Sequence, residues 1–199
     1  MTTLKEALEG MAETSTSKYI VAGQSAGGPT AIQIAAQARG VKGLVVMNSI
    51  GLRPHRYARP YFLYVLVTWM LRASTWTRFL ATKFVYFFLV HVTSVFPKKT
   101  PIDAVAYSQQ RMGNIDFQLL KDSVEQVKAR HVPTFVANST NDPVIETEIS
   151  RELALAFVPQ VTHAEFTSGG HMIQKTQAKA LAEALVAWSE AINSPRPKL

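Results

Sequence analysis

An α/β fold, with a parallel sheet, helices on its faces and a helical cap insertion, follows from three observations in this 199-residue sequence. Four short apolar stretches alternate with helical patterns, the order that builds parallel strands joined by crossover helices. One stretch holds Leu44-Val45-Val46, a continuous apolar run of the kind buried on both faces of a sheet. A long aromatic and basic segment then interrupts the alternation. The length suits one domain with a real core rather than two full ones.

The elements follow in order. Met1 to Glu13 mixes Lys5 with Glu6, Glu9 and Glu13, an amphipathic helix pattern without the apolar stretch of a signal peptide. Tyr19-Ile20-Val21-Ala22 reads as the first strand, ended by Gly23. Ala26 to Ala38 reads as a helix, with Ile32 and Ile34 among small residues and Gly40 as its C-cap. Val41 to Met47 is the second strand. Residues 51–130, punctuated by Pro54, Pro60, Pro97 and Pro101, form the expected helical lid or cap between core segments 1–50 and 131–199. Alternation then resumes with a strand over Val132 to Ala137, a helix over Glu146 to Phe157 and a short strand over Ala164 to Thr167. A last helix near Ile173 to Ile192 carries Leu181, Leu185, Trp188 and Ile192 on one face. Ser194 to Leu199 reads as a frayed end.

Composition removes several function classes. The absence of cysteine excludes disulfides, thiolate catalysis and Cys-based zinc sites. Net charge is +7, and no Asp or Glu occurs between Glu13 and Asp103. Arg53, Arg56, Arg59, Arg72, Arg78, Lys83, Lys98 and Lys99 cluster there among aromatics. Without an RNA-recognition or helix-turn-helix pattern this is a solvated basic face and not a nucleic-acid site. The uncharged runs Pro60 to Leu71 and Phe84 to Pro97, of 12 and 14 residues, fall short of the roughly 18 needed to cross a bilayer. They read as lid helices, with peripheral membrane contact as the alternative.

The chemistry lies elsewhere. Gly23-Gln24-Ser25-Ala26-Gly27-Gly28 fits G-x-S-x-G with a strand before it and a helix after it. So sharp a turn strains the serine backbone and lifts its hydroxyl off the sheet, and the glycines leave room for close approach. The Ala26 N–H, at the helix start, points where an oxyanion would form. A serine hydroxyl needs a base. Of five histidines, His55 and His91 lie in the insertion, His131 ends a helical stretch and His163 precedes a strand. His171 follows a short strand through Ser168-Gly169-Gly170, on the serine's edge of the sheet. Asp142 sits on Asn138-Ser139-Thr140-Asn141-Asp142-Pro143, the loop leaving the preceding strand, from which it can accept His171 Nδ1–H. Read alone, it is also an Asp-Pro turn former.

The order Ser, Asp, His together with these motifs resembles the α/β-hydrolase superfamily from its nucleophile strand onward, over most of the chain. The resemblance implies a Ser25–His171–Asp142 catalytic triad with Ala26 in the oxyanion hole and no metal or organic cofactor. A serine nucleophile weighs against relatives that use aspartate there, the haloalkane dehalogenases and epoxide hydrolases. Only 22 residues precede Gly23. The family's earlier strands and second oxyanion donor therefore have no counterpart, which predicts a partial, N-terminally truncated fold. One missing donor costs on the order of 10²–10³ in rate, and an exposed strand edge invites self-association.

The function expected is a carboxylesterase- or lipase-like serine hydrolase acting through an acyl-enzyme on a small ester or related carbonyl substrate. The aromatics Tyr61, Phe62, Tyr64, Trp69, Phe84, Phe87 and Phe88 suggest an apolar acyl group, though they equally suit packing of the lid against itself. The alternative is a catalytically impaired hydrolase-like domain that binds a partner or membrane surface. Hydrolysis of a carbon–carbon bond in a diketone would use the same triad. The expected location is cytoplasmic. Peroxisomal import is an alternative, because Pro197-Lys198-Leu199 differs from the Ser-Lys-Leu address at one position.

Overall fold

The computed structural model describes residues 18–194. The expectations for Met1 to Glu13, for the tail beyond Ser194 and for Pro197-Lys198-Leu199 lie outside the described residues. The chain divides into two compact units, one running to Arg53 and resuming at Gln118, the other Pro54–Phe117.

The first unit is built on four parallel strands in the order β1 (Tyr19–Gln24), β2 (Val41–Met47), β3 (Thr134–Ser139) and β4 (Val161–Phe166). Alternate residues of β2 and β3 serve opposite faces. Leu44, Val46 and Val136 pack with Ile32 and Ala35 of α1 (Gly27–Gln37) and with Leu153 of α6 (Thr147–Ala156). On the other face Val45, Phe135 and Ala137 pack with Ile173, Leu181 and Trp188. Both faces are covered, so the strands are apolar runs rather than alternating ones.

Several boundaries differ from the sequence reading. The helix α1 stops at Gln37, and Ala38 is already extended while its N–H donates to the Ile34 carbonyl at 2.8 Å. Gly40 is therefore not its cap. With φ +75° it turns the chain into β2, and its carbonyl accepts from Tyr19 N–H. The strand β4 begins at Val161, opposite Thr134, three residues before the expected start. The last helix is two helices, α7 (Ile173–Thr176) and α8 (Ala178–Asn193). The break falls at Gln177, at φ −120° and ψ 28°, whose side chain donates to the Ser168 carbonyl at 3.1 Å.

The second edge of the insertion also differs. Within α5 (Phe117–Ala129), Leu120, Val124 and Val127 are buried in the sheet's core with Ile32, Leu44 and Phe157. Their i, i+4, i+7 spacing forms one apolar stripe, so α5 from Gln118 onward belongs to the sheet unit and not to the insertion.

The helical unit contains α2 (Tyr61–Ala73), α3 (Thr75–Phe87), a wider helical turn over Phe88–Val92 and α4 (Ile102–Met112). Ser74 joins α2 to α3 and caps α3, exchanging hydrogen bonds with Thr77 in a capping box. Leu71, Ala81 and Ala106 form one small core, and Val85, Leu89, Val90 and Val105 another. Among the described residues no helix is long and apolar enough to cross a membrane.

Candidate functional site

The turn at Ser25 has the geometry its glycines imply. Ser25 adopts φ +54°, a left-handed conformation that costs a non-glycine residue of order 1–3 kcal/mol. The surrounding chain holds it there. Ser25 N–H donates to the Met47 carbonyl at 3.0 Å, and its own carbonyl accepts from Gly28 N–H at 3.1 Å and Ile50 N–H at 3.3 Å. A Cβ on Gly23 would lie 2.5 Å from the Gly27 carbonyl oxygen, and one on Gly28 would lie 1.7 Å from Ser49 Oγ. At Gly27 a Cβ would meet nothing within 4 Å, so close approach explains the first and third glycines but not the second. Ala26, at φ −65° and ψ −11°, occupies the cap position of α1.

His171 and Asp142 meet Ser25. His171 Nε2 lies 2.9 Å from Ser25 Oγ, and His171 Nδ1 lies 2.8 Å from Asp142 Oδ2. Ionised, a carboxylate only accepts. That fixes the neutral imidazole with its proton on Nδ1 and a lone pair on Nε2 toward the serine hydroxyl. The Asp142 side chain is 1% exposed. Its second oxygen, Oδ1, accepts Val144 N–H at 2.7 Å and Ile145 N–H at 3.1 Å, so Asp142 caps its own turn and faces the imidazole at once. His171 rides a short helical turn, Gly170–Met172, reached through Gly169 at φ +131° and Gly170 at φ +61°.

Three side chains not foreseen as supports hold this loop. Asn48, directly after β2 and 1% exposed, has φ +39°, a region Asn tolerates better than most residues. Its Nδ2 donates to the carbonyls of Gly170 at 2.9 Å and His171 at 3.0 Å, while its Oδ1 accepts Ser139 N–H at 2.9 Å. One amide thus ties the end of β2 to the end of β3 and to the histidine turn. Gln24, counted in sequence only as an elbow residue, donates from Nε2 to the His171 carbonyl at 3.1 Å and lies 3.3 Å from His171 Nε2. Asn141 adds a third tie, its Oδ1 accepting Gly170 N–H at 2.8 Å. Nothing in the sequence marked Asn48 beyond its place shortly after the apolar run Leu44-Val45-Val46.

The other histidines stand apart. His163 lies in β4, where its Nε2 meets Asn138 Oδ1 at 2.6 Å. Asn138 Nδ2 donates to Glu165, so Oδ1 is the accepting atom and His163 Nε2 carries the proton. Burial lowers the His163 pKa below its ordinary value, an effect Glu165 opposes. His55 caps the short turn Arg56–Ala58, and His91 packs against Tyr86 and Phe87. His131 lies within hydrogen-bond range of Gln160. Among the described residues no three His, Asp or Glu side chains gather into a metal-binding cluster.

The fold is shared with solved structures. This chain is similar to a thermophilic esterase from Thermogutta terrifontis solved with malate bound, at 18% identity and a TM-score of 0.61, over 96% of this chain and 71% of that one. It is similar to MenH from S. aureus, at 12% identity and a TM-score of 0.63, over 96% of this chain and 75% of that one. A monoacylglycerol lipase from Paleococcus ferrophilus matches at 19% identity and a TM-score of 0.55, over 95% and 74% of the two chains. Of a further similar structure, from Acinetobacter baumannii AYE, the chain spans 63% of the length. At such identities the likeness is one of fold alone. No curated protein matches the sequence. Residues 3–182 match the family described as alpha/beta hydrolase of unknown function (DUF1057), and the chain belongs to that α/β-hydrolase family.

Proposed function

We propose that this chain is a serine hydrolase that cleaves an ester or related carbonyl substrate with an apolar acyl group. The observation that carries the reading is the unbroken relay from Ser25 Oγ through His171 to the buried Asp142. In this reading Ser25 Oγ attacks the carbonyl carbon while its proton passes to His171 Nε2. Asp142 stabilises the imidazolium that forms and keeps its ring oriented. The oxyanion is met by N–H groups at the start of α1, with Ala26 the first of them. His171 returns the proton to the departing alcohol, and water, deprotonated by the same Nε2, releases the acid and restores Ser25.

The apolar acyl group is supported from within the helical unit, which we read as the substrate-selecting cap. A cavity of about 320 Å³ there is lined by Pro60, Leu63, Val67, Phe84, Phe88 and Leu89 among others. Its polar neighbours are engaged, since Gln109 Nε2 donates to the Tyr64 carbonyl and to Thr68 Oγ1, and Arg59 Nε donates to the Pro54 carbonyl. Burial holds the Tyr64 hydroxyl far above the usual phenol range, so that part of the wall stays uncharged. A wall of this kind suits a hydrocarbon chain.

A fluorophosphonate probe tests the chemistry, with expected labelling of the folded protein and none of Ser25→Ala. No labelling of the wild-type chain, or equal labelling of the variant, would overturn the assignment. A series of p-nitrophenyl esters tests the cap. Val67→Trp, which fills the cavity, should shift the preference toward shorter acyl chains, and an unchanged preference would remove the cavity from the reading.

A further inference from the structure

Helices α2 and α3 turn apolar faces outward. On α2, Phe62, Val65, Leu66 and Trp69 recur at i, i+3, i+4 and i+7, and all are exposed, Phe62 to 69% and Trp69 to 58%. The opposite side holds Thr68 and Leu71, which are buried. On α3 the exposed set is Trp76, Phe79, Leu80, Phe84 and Phe87, with Trp76 79% exposed, while Ala81 and Val85 face inward. A surface helix ordinarily sets a polar face against water. At roughly half of the 150–250 Å² that each aromatic side chain presents, these residues together exceed the few hundred Å² usual for an exposed apolar patch.

The charge around this surface has one sign. Neither helix carries an Asp or Glu, but Arg72, Arg78 and Lys83 sit beside the aromatics. Residues 54–117 hold eight Lys and Arg against two acidic residues, Asp103 and Asp116. A protein–protein interface enriches aromatics and Arg but depletes Lys, and here Lys83 stands among the exposed aromatics. A second copy of the chain would set like charges against each other, because a two-fold contact pairs a patch with itself. Lys83 Nζ lies 5.8 Å from the centroid of the Phe79 ring, a cation held beside an apolar side chain it can outreach.

We propose that the outward faces of α2 and α3 form a docking surface for an anionic phospholipid bilayer. The aromatics enter the boundary between headgroups and acyl chains, where Trp is favoured. Arg72, Arg78 and Lys83 meet the lipid phosphates and carboxylates. Each helix has 13 residues, or about 20 Å, short of the bilayer's thickness but suited to lying in its plane. This surface shares Leu66 and Phe84 with the wall of the cavity described above, but it does not involve Ser25, His171 or Asp142.

The experiment uses the full chain with Ser25→Ala, so that failure of the hydrolase reading cannot affect it. Co-sedimentation is measured with phosphatidylcholine vesicles, with and without about 30% phosphatidylserine, at low and high salt. Tryptophan quenching by brominated lipid is followed in parallel. Trp188 is buried in the sheet unit, so quenching reports Trp69 and Trp76. The expected result is binding to the anionic vesicles alone, lost at high salt, with quenched emission. Trp76→Ser with Phe79→Ser should weaken binding at least tenfold, and Arg78→Glu with Lys83→Glu should abolish it, each with an unchanged circular dichroism spectrum. No vesicle binding, equal binding to neutral vesicles, or variants that bind like the parent would overturn the proposal. So would a stable dimer in which Trp69 and Trp76 are shielded without lipid.

Discussion

Asp142 answers two descriptions at once. Its Oδ1 accepts the N–H groups of Val144 and Ile145, as an Asp-Pro turn former would, while its Oδ2 faces His171 Nδ1. Asp142→Asn keeps the turn but offers an amide that stabilises the wrong imidazole tautomer, so kcat should fall by about 10⁴ with little change in thermal stability. Stopped assays on a p-nitrophenyl ester check this, and near-normal turnover would remove Asp142 from the relay. Asn48 is a different case. Truncation to Ala leaves Ser139 N–H without its acceptor and the Gly170 carbonyl without its side-chain donor, while the His171 carbonyl keeps Gln24 Nε2. Asn48→Ala should therefore lose about 1–3 kcal/mol in urea unfolding and slow fluorophosphonate labelling of Ser25. Loss of stability with an unchanged labelling rate would make Asn48 structural only. Ser25, Asp142 and His171 were readable in sequence because their loops carry recognisable turn residues. Asn48 was not, because its partners are main-chain groups 91 to 123 positions away.

At the scale of elements, the strand pair β3–β4 carries a pH-sensitive cluster. Arg151 of α6 makes two hydrogen bonds to Glu165, at 2.8 and 2.7 Å, and these hold the Glu165 carboxyl below its ordinary 4.5. Burial likewise holds His163 below its ordinary 6.5. In both cases the unfolded chain binds the proton more readily. Stability is therefore complete above the unfolded pKa and lost as pH falls through the folded one. Acidification should destabilise the sheet unit in two steps, the first below 6.5 from His163 and the second below 4.5 from Glu165. Glu165→Gln should abolish the lower step and, by removing the charge that opposes the lowering of the His163 pKa, enlarge the upper one, as read from urea midpoints across pH. An unaltered lower step would place its origin elsewhere. Strand and helix identities followed from apolar periodicity, but their ends did not. α5 looked like part of the insertion because nothing in Leu120, Val124 and Val127 states which core they enter. Gln177, where the last helix breaks, bonds to Ser168, nine residues back, a partner that helical periodicity does not name.

For the whole molecule, the relay is a property of tertiary structure alone. Ser25 and His171 are 146 positions apart, and Asp142 and His171 are 29 apart. Labelling of Ser25 should disappear along the same urea transition as the far-ultraviolet circular dichroism of the chain, because the imidazole reaches the hydroxyl only when β1, β2 and β3 are paired. Labelling that persists in fully unfolded protein would mean that Ser25 needs no relay.

By itself, the sequence determined the strand and helix alternation, the sharp turn at Ser25 and the candidate acid, base and nucleophile, since each depends on near neighbours in the chain. Periodicity, glycine placement and loop composition are local facts. Only the tertiary structure decided that α5 serves the sheet, that Asn48 ties three chain segments together, and that the aromatic faces of α2 and α3 are exposed. Those outcomes depend on which surfaces meet, and a side chain's partners at long range are not encoded in its immediate neighbours.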